Sequence, residues 1–315
     1  MSEVIRVFLC LVAVFFSRDL GASMAHRSFT PTLTPKQAEL ELEKLRRQQL
    51  GSYSLVFDLE HRAKKSQKIV ETCSIFGSEI ACSRAMRIDL PSRKTSLLLT
   101  AVNSSLPSML LCRWDAIPKR SIFSTSEPAM LLRDPLSWLK SMTPALPFMK
   151  LVRGTKPVLE STGDIYKPIV PEFFFTPADM GFSFIFWDKS TYLGPKKVLG
   201  LKTQQFKLEP SPSQAVGLAD VSYLRISLCT SYGTIIRVEY FNGRNVLLKK
   251  MDLLRFKKVS GNWIMTEVDM VDELTHSKTT LRVKKAAFGG DINRYLSEAS
   301  LAEAVSKTDL KYTDV

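Results

Sequence analysis

Side chains that commonly take part in catalysis are few in this sequence and form no recognisable motif. The three histidines, His26, His61 and His276, are far apart along the chain, and none has a serine, a cysteine or an acidic pair at motif spacing. Acid–base and nucleophilic catalysis need such groups within hydrogen-bond reach of one another. Glycine-rich phosphate loops, a G-x-S-x-G elbow and metal-ligand spacings are also absent from the sequence. We therefore predict no enzyme activity, no cofactor and no metal site.

Three acidic residues, Glu172, Asp179 and Asp188, border a stretch rich in phenylalanine and are the remaining candidates for chemistry. A convergent carboxylate pair could perform general acid–base catalysis. The same residues could equally be helix caps or solvated strand ends, and the sequence brings no two of them together. We interpret them as caps or strand ends, and a hydrolase remains a remote hypothesis.

Two cysteines, Cys73 and Cys82, flank a candidate two-residue hairpin turn at Gly77-Ser78. Counting outward from that turn makes them a non-hydrogen-bonded cross-strand pair, with Cα atoms close enough for a disulfide. In an oxidising compartment we expect the Cys73–Cys82 disulfide. In a reducing compartment the same residues would be buried thiols.

The first 25 residues have the architecture of a secretory signal peptide. Val7–Phe16 is an uninterrupted apolar run, preceded by Arg6 and followed by a cleavage-like Ser23-Met24-Ala25. The run is too short to cross a bilayer, which takes about 20 residues. A buried strand or helix is the alternative interpretation. We predict export to the periplasm of a Gram-negative-type envelope, with residues 26–33 as a flexible lead-in.

The sequence carries a formal net charge of +13 at pH 7. Such a charge could attract nucleic acid, an anionic membrane surface or an acidic partner. Lysine doublets such as Lys249-Lys250 and Lys284-Lys285 fall near the ends of predicted strands, without a basic helix or a stacking motif. Solvated strand faces and protected sheet edges explain them better than nucleic-acid binding. Attraction to anionic lipid headgroups stays open. We predict a monomer with no nucleic-acid partner.

Alternating apolar residues predict an antiparallel meander over Tyr232–Ala287. Ile236, Val238 and Tyr240 would share one face of its first strand. We expect a two-residue hairpin at Asn242-Gly243, because that pair favours turns with two positive φ angles. Further turns are predicted at Ser260-Gly261 and around Thr275-His276-Ser277. Strands of this kind form a curved open sheet or a barrel wall.

The earlier part of the chain predicts a helix and a second meander. Thr34, Pro35 and Gln37 have the spacing of a capping box, and the helix should run to about Leu50. Alternation over residues 53–122 then predicts the strands. We expect a single domain over residues 34–290, and a helix or tail over 291–315 that ends in mobile residues.

Between the two meanders lies a segment of different composition. Prolines break residues 124–176 into short helical pieces, and residues 173–187 are rich in phenylalanine, methionine and tryptophan. These side chains could form ordinary core. They could also line an apolar ligand cavity, for which flexible methionine and flat aromatic surfaces are well suited.

Three segments resemble the outer membrane lipoprotein-sorting family, which is related to the LolA-like and LolB-like periplasmic lipoprotein carriers. They are Phe182–Trp187, Tyr192–Gly200 and Phe256–Met265, and the resemblance extends over about Phe173–Ala287. It implies a mainly β fold with some α. The expected architecture is a curved antiparallel sheet that forms an incomplete (half) β-barrel, covered on its concave face by short helices.

The resemblance also implies which residues bind a ligand. Leu136–Val152 would supply part of a lid, within an insertion at about 124–176, and Phe173–Trp187 would face an apolar cavity for acyl chains. The carriers of the family hold their lid with an arginine, which we match to no position here. The implied cavity and lid residues are Leu136, Trp138, Leu139, Met142, Leu146, Phe148, Met149, Phe173, Phe175, Met180, Phe182, Phe184 and Phe186.

Two functions from different classes follow from these expectations. The first is a periplasmic carrier or chaperone that shields a lipid, or the acyl chains of a lipoprotein, during sorting to the outer membrane. Its partners would be the lipid or acylated lipoprotein and transport components of the inner or outer membrane. The alternative is a non-catalytic interaction or sensor module of the envelope, in which side chains fill the cavity.

Overall fold

In the computed structural model, the described residues are 32–47, 51–62, 68–80, 83–102, 108–113, 158–161, 165–218, 220–301 and 309–315. The predicted signal peptide, the predicted lead-in up to residue 31 and most of the predicted lid insertion lie outside these residues. No helix in the described part of the chain is long and apolar enough to cross a membrane.

The first half of the chain forms a helix followed by a meander in which each strand pairs with the next. Helix α1 (Pro35–Arg46) begins after the N-cap Thr34, and the predicted capping box between Thr34 and Gln37 is confirmed. The strands are β1 (Tyr53–Arg62), β2 (Ile69–Ile80), β3 (Ser83–Leu90), β4 (Thr95–Thr100), β5 (Ser108–Arg113) and β6 (Val158–Ser161).

The second half forms a short helix, α2 (Pro177–Gly181), and a longer meander. Its last strand is followed by a 3-10 turn (Ile292–Tyr295), the one-turn helix α3 (Glu298–Leu301) and the two-residue strand β14 (Thr313–Asp314). The meander strands are β7 (Lys189–Val198), β8 (Leu201–Glu209), β9 (Tyr223–Cys229), β10 (Thr234–Phe241), β11 (Leu247–Val259), β12 (Asn262–Asp272) and β13 (Lys278–Phe288).

Both meanders belong to one antiparallel sheet, because β1 pairs with β13 from Tyr53↔Phe288 to Arg62↔Lys278. The strand order is β6-β5-β4-β3-β2-β1-β13-β12-β11-β10-β9-β8-β7, with β14 beside β13. The end strands β6 and β7 do not pair with each other, so the sheet is not closed into a barrel. The predicted fold class is therefore confirmed.

The chain must pass from one edge of this sheet to the other, because β6 and β7 are the two edge strands. Residues 165–188, here called the crossing segment, make this passage over one face. The Phe174 amide donates to Thr279 Oγ1 on the central strand β13 (3.4 Å), and Asp179 contacts Tyr240 on β10. The crossing segment therefore covers the concave face.

The main hydrophobic core lies between this face and the elements that cover it. It contains buried residues from nearly all the longer strands, from the crossing segment and from α1. Helix α1 contributes Ala38 and Leu42, and its Arg46 side chain donates to the backbone oxygens of Ile185 (2.6 Å) and Trp187 (3.0 Å). The helix thus holds the end of the crossing segment in place.

The opposite face of the sheet carries a smaller core under the residues that follow β13. Phe76 and Leu98 pack there against Ile292, Leu296 and Leu301. Part of the predicted C-terminal helix or tail, residues 302–308, lies outside the described residues. The last residues of the chain, which we predicted to be mobile, pair with β13, with Ala286 opposite Thr313 and Lys285 opposite Asp314.

The predicted hairpin turn at Gly77-Ser78 is wrong. Both residues lie inside β2, which continues to Ile80, and Ile80 pairs with Ser83 of β3. Gly77 serves a close contact instead, because a Cβ there would overlap the ring of its cross-strand neighbour Tyr53. The sequence therefore contains a glycine that mimics a turn signal inside a continuous strand.

The predicted Cys73–Cys82 disulfide depended on the hairpin register centred on Gly77-Ser78, which the structure does not have. Cys73 lies opposite Phe57 of β1 and is a free, buried thiol. Burial raises the pKa of this thiol far above its usual range. Cys82 lies outside the described residues.

Two other predicted turns differ in outcome. Ser260 and Gly261 form the expected two-residue hairpin, with φ angles of 49° and 84°. The two-residue turn predicted at Asn242-Gly243 is wrong, because residues 242–246 separate β10 from β11. The Asn242 side-chain oxygen accepts the backbone amides of Arg244 and Val246 (both 2.9 Å), which stabilises this longer turn.

Candidate functional site

A capping box fixes the start of α2 within the crossing segment. The Thr176 hydroxyl accepts the Asp179 amide (3.1 Å), and the Asp179 carboxylate accepts the Thr176 amide (3.0 Å). Pro177 takes the first helical position, where no amide hydrogen is needed. The interpretation of Asp179 as a helix cap is confirmed. Its side chain is buried, however, with 3% of its surface exposed.

The helix ends after one turn, and this ending directs the following aromatic residues inward. Phe182 has a φ of 49° and reverses the chain into a 3-10 turn over Ser183–Phe186. A positive φ is uncommon for a residue with a bulky side chain. The reversal is supported here by burial of Phe182, Phe184 and Ile185 in the main core.

The crossing segment leaves a pocket of about 200 Å³ against the second meander. Its lining is mainly apolar and comes from three parts of the chain. The crossing segment, the loop after β8 and strands β9–β11 contribute Tyr166, Pro168, Phe174, Thr176, Ala178, Asp179, Phe184, Trp187, Gly217, Leu218, Val221, Leu224, Tyr240 and Lys249.

A compact polar cluster lies in this apolar lining, centred on Asp179. The Tyr240 hydroxyl donates to Asp179 Oδ1 (2.5 Å), and Lys249 Nζ donates to Oδ2 (2.9 Å). Together with the Thr176 amide, these donors satisfy the buried carboxylate. The Lys249 ammonium also lies 4.2 Å from the centre of the Tyr240 ring, within the range of a cation–π interaction.

The environment of Tyr240 keeps its hydroxyl protonated. Burial raises the pKa of Tyr240 well above its usual value of 10.0, and the adjacent Asp179 carboxylate raises it further. The neutral phenol therefore remains a hydrogen-bond donor at physiological pH. It adds no negative charge to the pocket.

Trp187 brings a second polar group to the pocket wall. Its side chain is 2% exposed, and among the described residues its indole Nε1–H has no hydrogen-bond partner. An unsatisfied buried donor costs about 1–3 kcal/mol. One residue of the apolar lining thus carries an unsatisfied buried donor.

The structure separates the predicted cavity residues into four groups. Phe184 lines the pocket, whereas Phe173, Phe175, Met180 and Phe182 are buried in the main core. Phe186 is half-buried, and the Arg84 guanidinium carbon lies 5.5 Å from its ring centre. Seven residues lie outside the described residues: Leu136, Trp138, Leu139, Met142, Leu146, Phe148 and Met149. Ligand binding by any of the thirteen stays a prediction.

Sequence reasoning missed several residues of the pocket. Lys249 was interpreted as part of a solvated doublet, and Tyr240 as an apolar strand residue. Leu218 and Val221 belong to a loop for which no role was predicted. Strand alternation offered one signal, because it turns Lys249 and Lys250 to opposite faces and so lets only one of them reach the concave side.

Among the described residues, the pocket lining includes no histidine, cysteine or serine. Its one carboxylate, that of Asp179, accepts three hydrogen bonds. No group of three or more His, Cys, Asp or Glu side chains in the described residues could hold a metal ion.

The open antiparallel sheet with short helices on its concave face defines the class of protein: the chain has a LolA-like fold. The expected resemblance is confirmed at this level by three solved structures. A DUF1329 family protein from Desulfovibrio piger is 12% identical, with a TM-score of 0.60, and the alignment covers 84% of this chain and 98% of that one.

The other two structures agree. A domain classed as an outer membrane lipoprotein-sorting protein, from Vibrio parahaemolyticus, has a TM-score of 0.60 at 12% identity, covering 85% of this chain and 98% of its own. A LolA superfamily protein from Nitrosomonas europaea has a TM-score of 0.54 at 11% identity, covering 85% and 99%. At such identities the likeness shows the fold alone.

Sequence comparisons add little to this. A family model with the description "Uncharacterized protein" matches residues 174–302, which is less than half of the chain. No curated protein matches the sequence. The matched segment begins in the crossing segment and includes the whole second meander, so it contains most of the pocket lining.

Proposed function

We propose that this protein binds a lipid, or an acyl chain of a lipoprotein, in the pocket beneath the crossing segment, and carries it through the periplasm. The observation that carries the proposal is the apolar pocket on the concave face of a LolA-like sheet. Burial of an acyl chain contributes about 0.8 kcal/mol per methylene group. A few buried methylenes therefore give useful affinity without any catalytic group.

The N-terminal sequence supports the periplasmic part of the proposal. Residues 1–25 would direct export and be removed, and residues 34–290 would form the carrier domain. The insertion at about 124–176 would act as the lid over the bound chain. An acylated lipoprotein, or a free lipid, would be the cargo exchanged with membrane components.

The size of the pocket restricts the cargo. Pockets for drug-sized ligands typically have about 300–1,000 Å³, whereas this one has about 200 Å³. The described part of the molecule therefore suits one acyl segment rather than a complete two-chain lipid. A lipoprotein or phospholipid would insert a single chain here.

The tight packing of the concave face favours a second candidate function. Phe173, Phe175 and Met180, three of the predicted cavity residues, fill this face as core. An envelope interaction or sensor module with a filled cavity would be built in the same way. The two functions differ in whether the folded protein takes up an acyl chain.

Native mass spectrometry of the protein purified from its own host envelope separates the two candidates. A carrier should release a co-purified lipid or acylated peptide of defined mass on activation. A protein that carries no lipid, and that also fails to bind acyl probes when folded, would contradict the proposal and support the interaction module.

A pocket-filling variant makes the test specific to this site. Ala178 lines the pocket, and Ala178→Leu would occupy part of its volume. We expect this variant to lose bound lipid while keeping the circular dichroism spectrum of the wild type. Ala215→Leu is the matched control, because Ala215 is exposed in the nearby loop and does not line the pocket.

A further inference from the structure

The polar groups of the pocket carry information about the head of its ligand. A purely apolar ligand would need no lysine in the wall of the pocket. Replacing a buried ion pair with well-packed apolar residues is often neutral or stabilising. Asp179 closes the capping box at Thr176, but stability alone does not explain a lysine at position 249.

The donor capacity of Lys249 exceeds what its neighbours use. An ammonium group has three N–H donors and no acceptor. Among the described residues, Asp179 accepts one of these donors, and the Tyr240 ring lies beside the ammonium. The Lys249 side chain is 19% exposed, and it lines the pocket. The ammonium can therefore donate to an acceptor that enters the pocket.

The carboxylate of the pair, in contrast, is already occupied at three of its roughly four acceptor sites. Asp179 accepts the Tyr240 hydroxyl, the Lys249 ammonium and the Thr176 amide. These three donors disperse its negative charge away from the pocket. A donor-bearing head would find at most about one acceptor site left on this carboxylate, whereas the Lys249 ammonium has about two N–H donors left among the described residues.

From this asymmetry we infer that the ligand is a single-chain amphiphile whose anionic head, a carboxylate or a phosphate, is bound by Lys249. The inference rests on the proposed function and names the class of its ligand. The acyl chain would lie against the apolar lining formed by residues such as Phe184, Leu218 and Leu224. Charge-assisted hydrogen bonds to the head are stronger than neutral ones.

The experiment compares probes that share one chain and differ in the head. Isothermal titration calorimetry would measure decanoate, decyl phosphate and 1-decanol against the full exported chain. The test variant is Lys249→Met/Asp179→Asn, which removes both charges and so leaves no buried ion unpaired. Lys250→Met is the control, because Lys250 pairs with Glu273 (2.6 Å) and does not line the pocket.

We expect the wild type to bind at least one anionic probe about tenfold or more tightly than 1-decanol. The double variant should lose this preference while keeping its affinity for 1-decanol, and Lys250→Met should behave as the wild type. Tighter binding of decanoate than of decyl phosphate would identify a free fatty acid as the source of the head. Tighter binding of decyl phosphate would identify a phosphate-bearing lipid.

Lys249→Arg, which keeps the positive charge, provides an independent variant and should retain the preference for anionic probes. Equal binding of charged and uncharged probes by the wild type would overturn the inference and leave the proposed function standing. Failure of all three probes to bind would overturn both.

Discussion

Two largely buried cations, Arg87 and Lys249, lie on opposite faces of the sheet and are satisfied to different degrees. Arg87 of β3 is 0% exposed. It donates to Asp89 Oδ1 (2.7 Å) and to the Ser300 backbone oxygen (2.9 Å) in the C-terminal segment. Lys249 pairs with one carboxylate and faces a pocket.

The difference separates a structural cation, Arg87, from the cation that we propose binds a ligand, Lys249. Arg87 uses its planar fork to attach the chain after β13 to the outer face, and its acceptors all belong to the protein. Lys249 is a compact point charge, and its ammonium has N–H donors that Asp179 does not use. An ion buried under other protein groups serves stability, whereas one at a pocket can serve recognition.

Replacing Arg87 is the change with the largest expected effect on stability. Arg87→Leu leaves Asp89 buried without its cation and frees the C-terminal segment. We expect the free energy of unfolding to fall by about 3–5 kcal/mol, measured by urea denaturation. Arg255→Leu is the control, because Arg255 is exposed and pairs with Glu267 at the surface. A loss below about 1 kcal/mol for Arg87→Leu would contradict the structural role that we assign to Arg87.

The corresponding change at the pocket should cost less stability. In Lys249→Met, Asp179 keeps the Tyr240 hydroxyl and the Thr176 amide as donors. We expect a loss of about 1–3 kcal/mol in the same urea measurement. A loss as large as that of Arg87→Leu would show that Lys249 is as structural as Arg87.

Alkaline pH tests the protonated state of Tyr240 in the pocket cluster. An unfolded tyrosine loses its proton near pH 10, whereas burial and Asp179 raise the pKa of folded Tyr240 well above 10.0. Above pH 10 the unfolded state therefore binds fewer protons, and stability falls as the pH rises. The contribution of one tyrosine is at most about 1.4 kcal/mol per pH unit. Tyr240→Phe should show a shallower decline than the wild type between pH 9 and 11, and equal slopes would contradict this account.

Acidic pH gives the smallest expected effect, through His61 on the concave face. His61 packs against Phe173 and Phe174, and burial lowers its pKa below the usual 6.5. As the pH falls below 6.5, His61 is protonated in the unfolded state before it is protonated in the folded state. Proton binding therefore favours unfolding, and the protein loses stability below that pH. His61→Gln should flatten the decline in thermal unfolding temperature between pH 7 and 5. His276→Gln, in the exposed β12–β13 turn, should leave it unchanged.

The meanders could be predicted from the sequence because strand alternation is a local pattern. Details within the strands could not. A bulge between Ile235 and Arg237 places Ile235 in the main core and turns Ile236 to the other face, against the predicted alternation. Gly77 was misread for a related reason, since the ring that requires a glycine belongs to Tyr53 on the neighbouring strand.

The apolar character of residues 173–187 could be predicted from the sequence, but the full set of residues that line the pocket could not. The aromatic composition of residues 173–187 indicated an apolar core or cavity beside the sheet, and Phe184 is a member of both. Tyr240 and Lys249 were missed because no local pattern relates them to Asp179, which is 61 and 70 residues away in sequence. Burial of this cluster depends on the route of the crossing segment.

By itself the sequence determined the capping box at Thr34, the turn at Ser260-Gly261 and two mainly antiparallel meanders, because each depends on neighbours within a few residues. Only the tertiary structure decided that β1 joins β13 and that β6 and β7 become the edges. That pairing sends the crossing segment over the concave face. It thereby makes one lysine of a doublet part of a pocket, since long-range packing, not composition, sets which charges are buried.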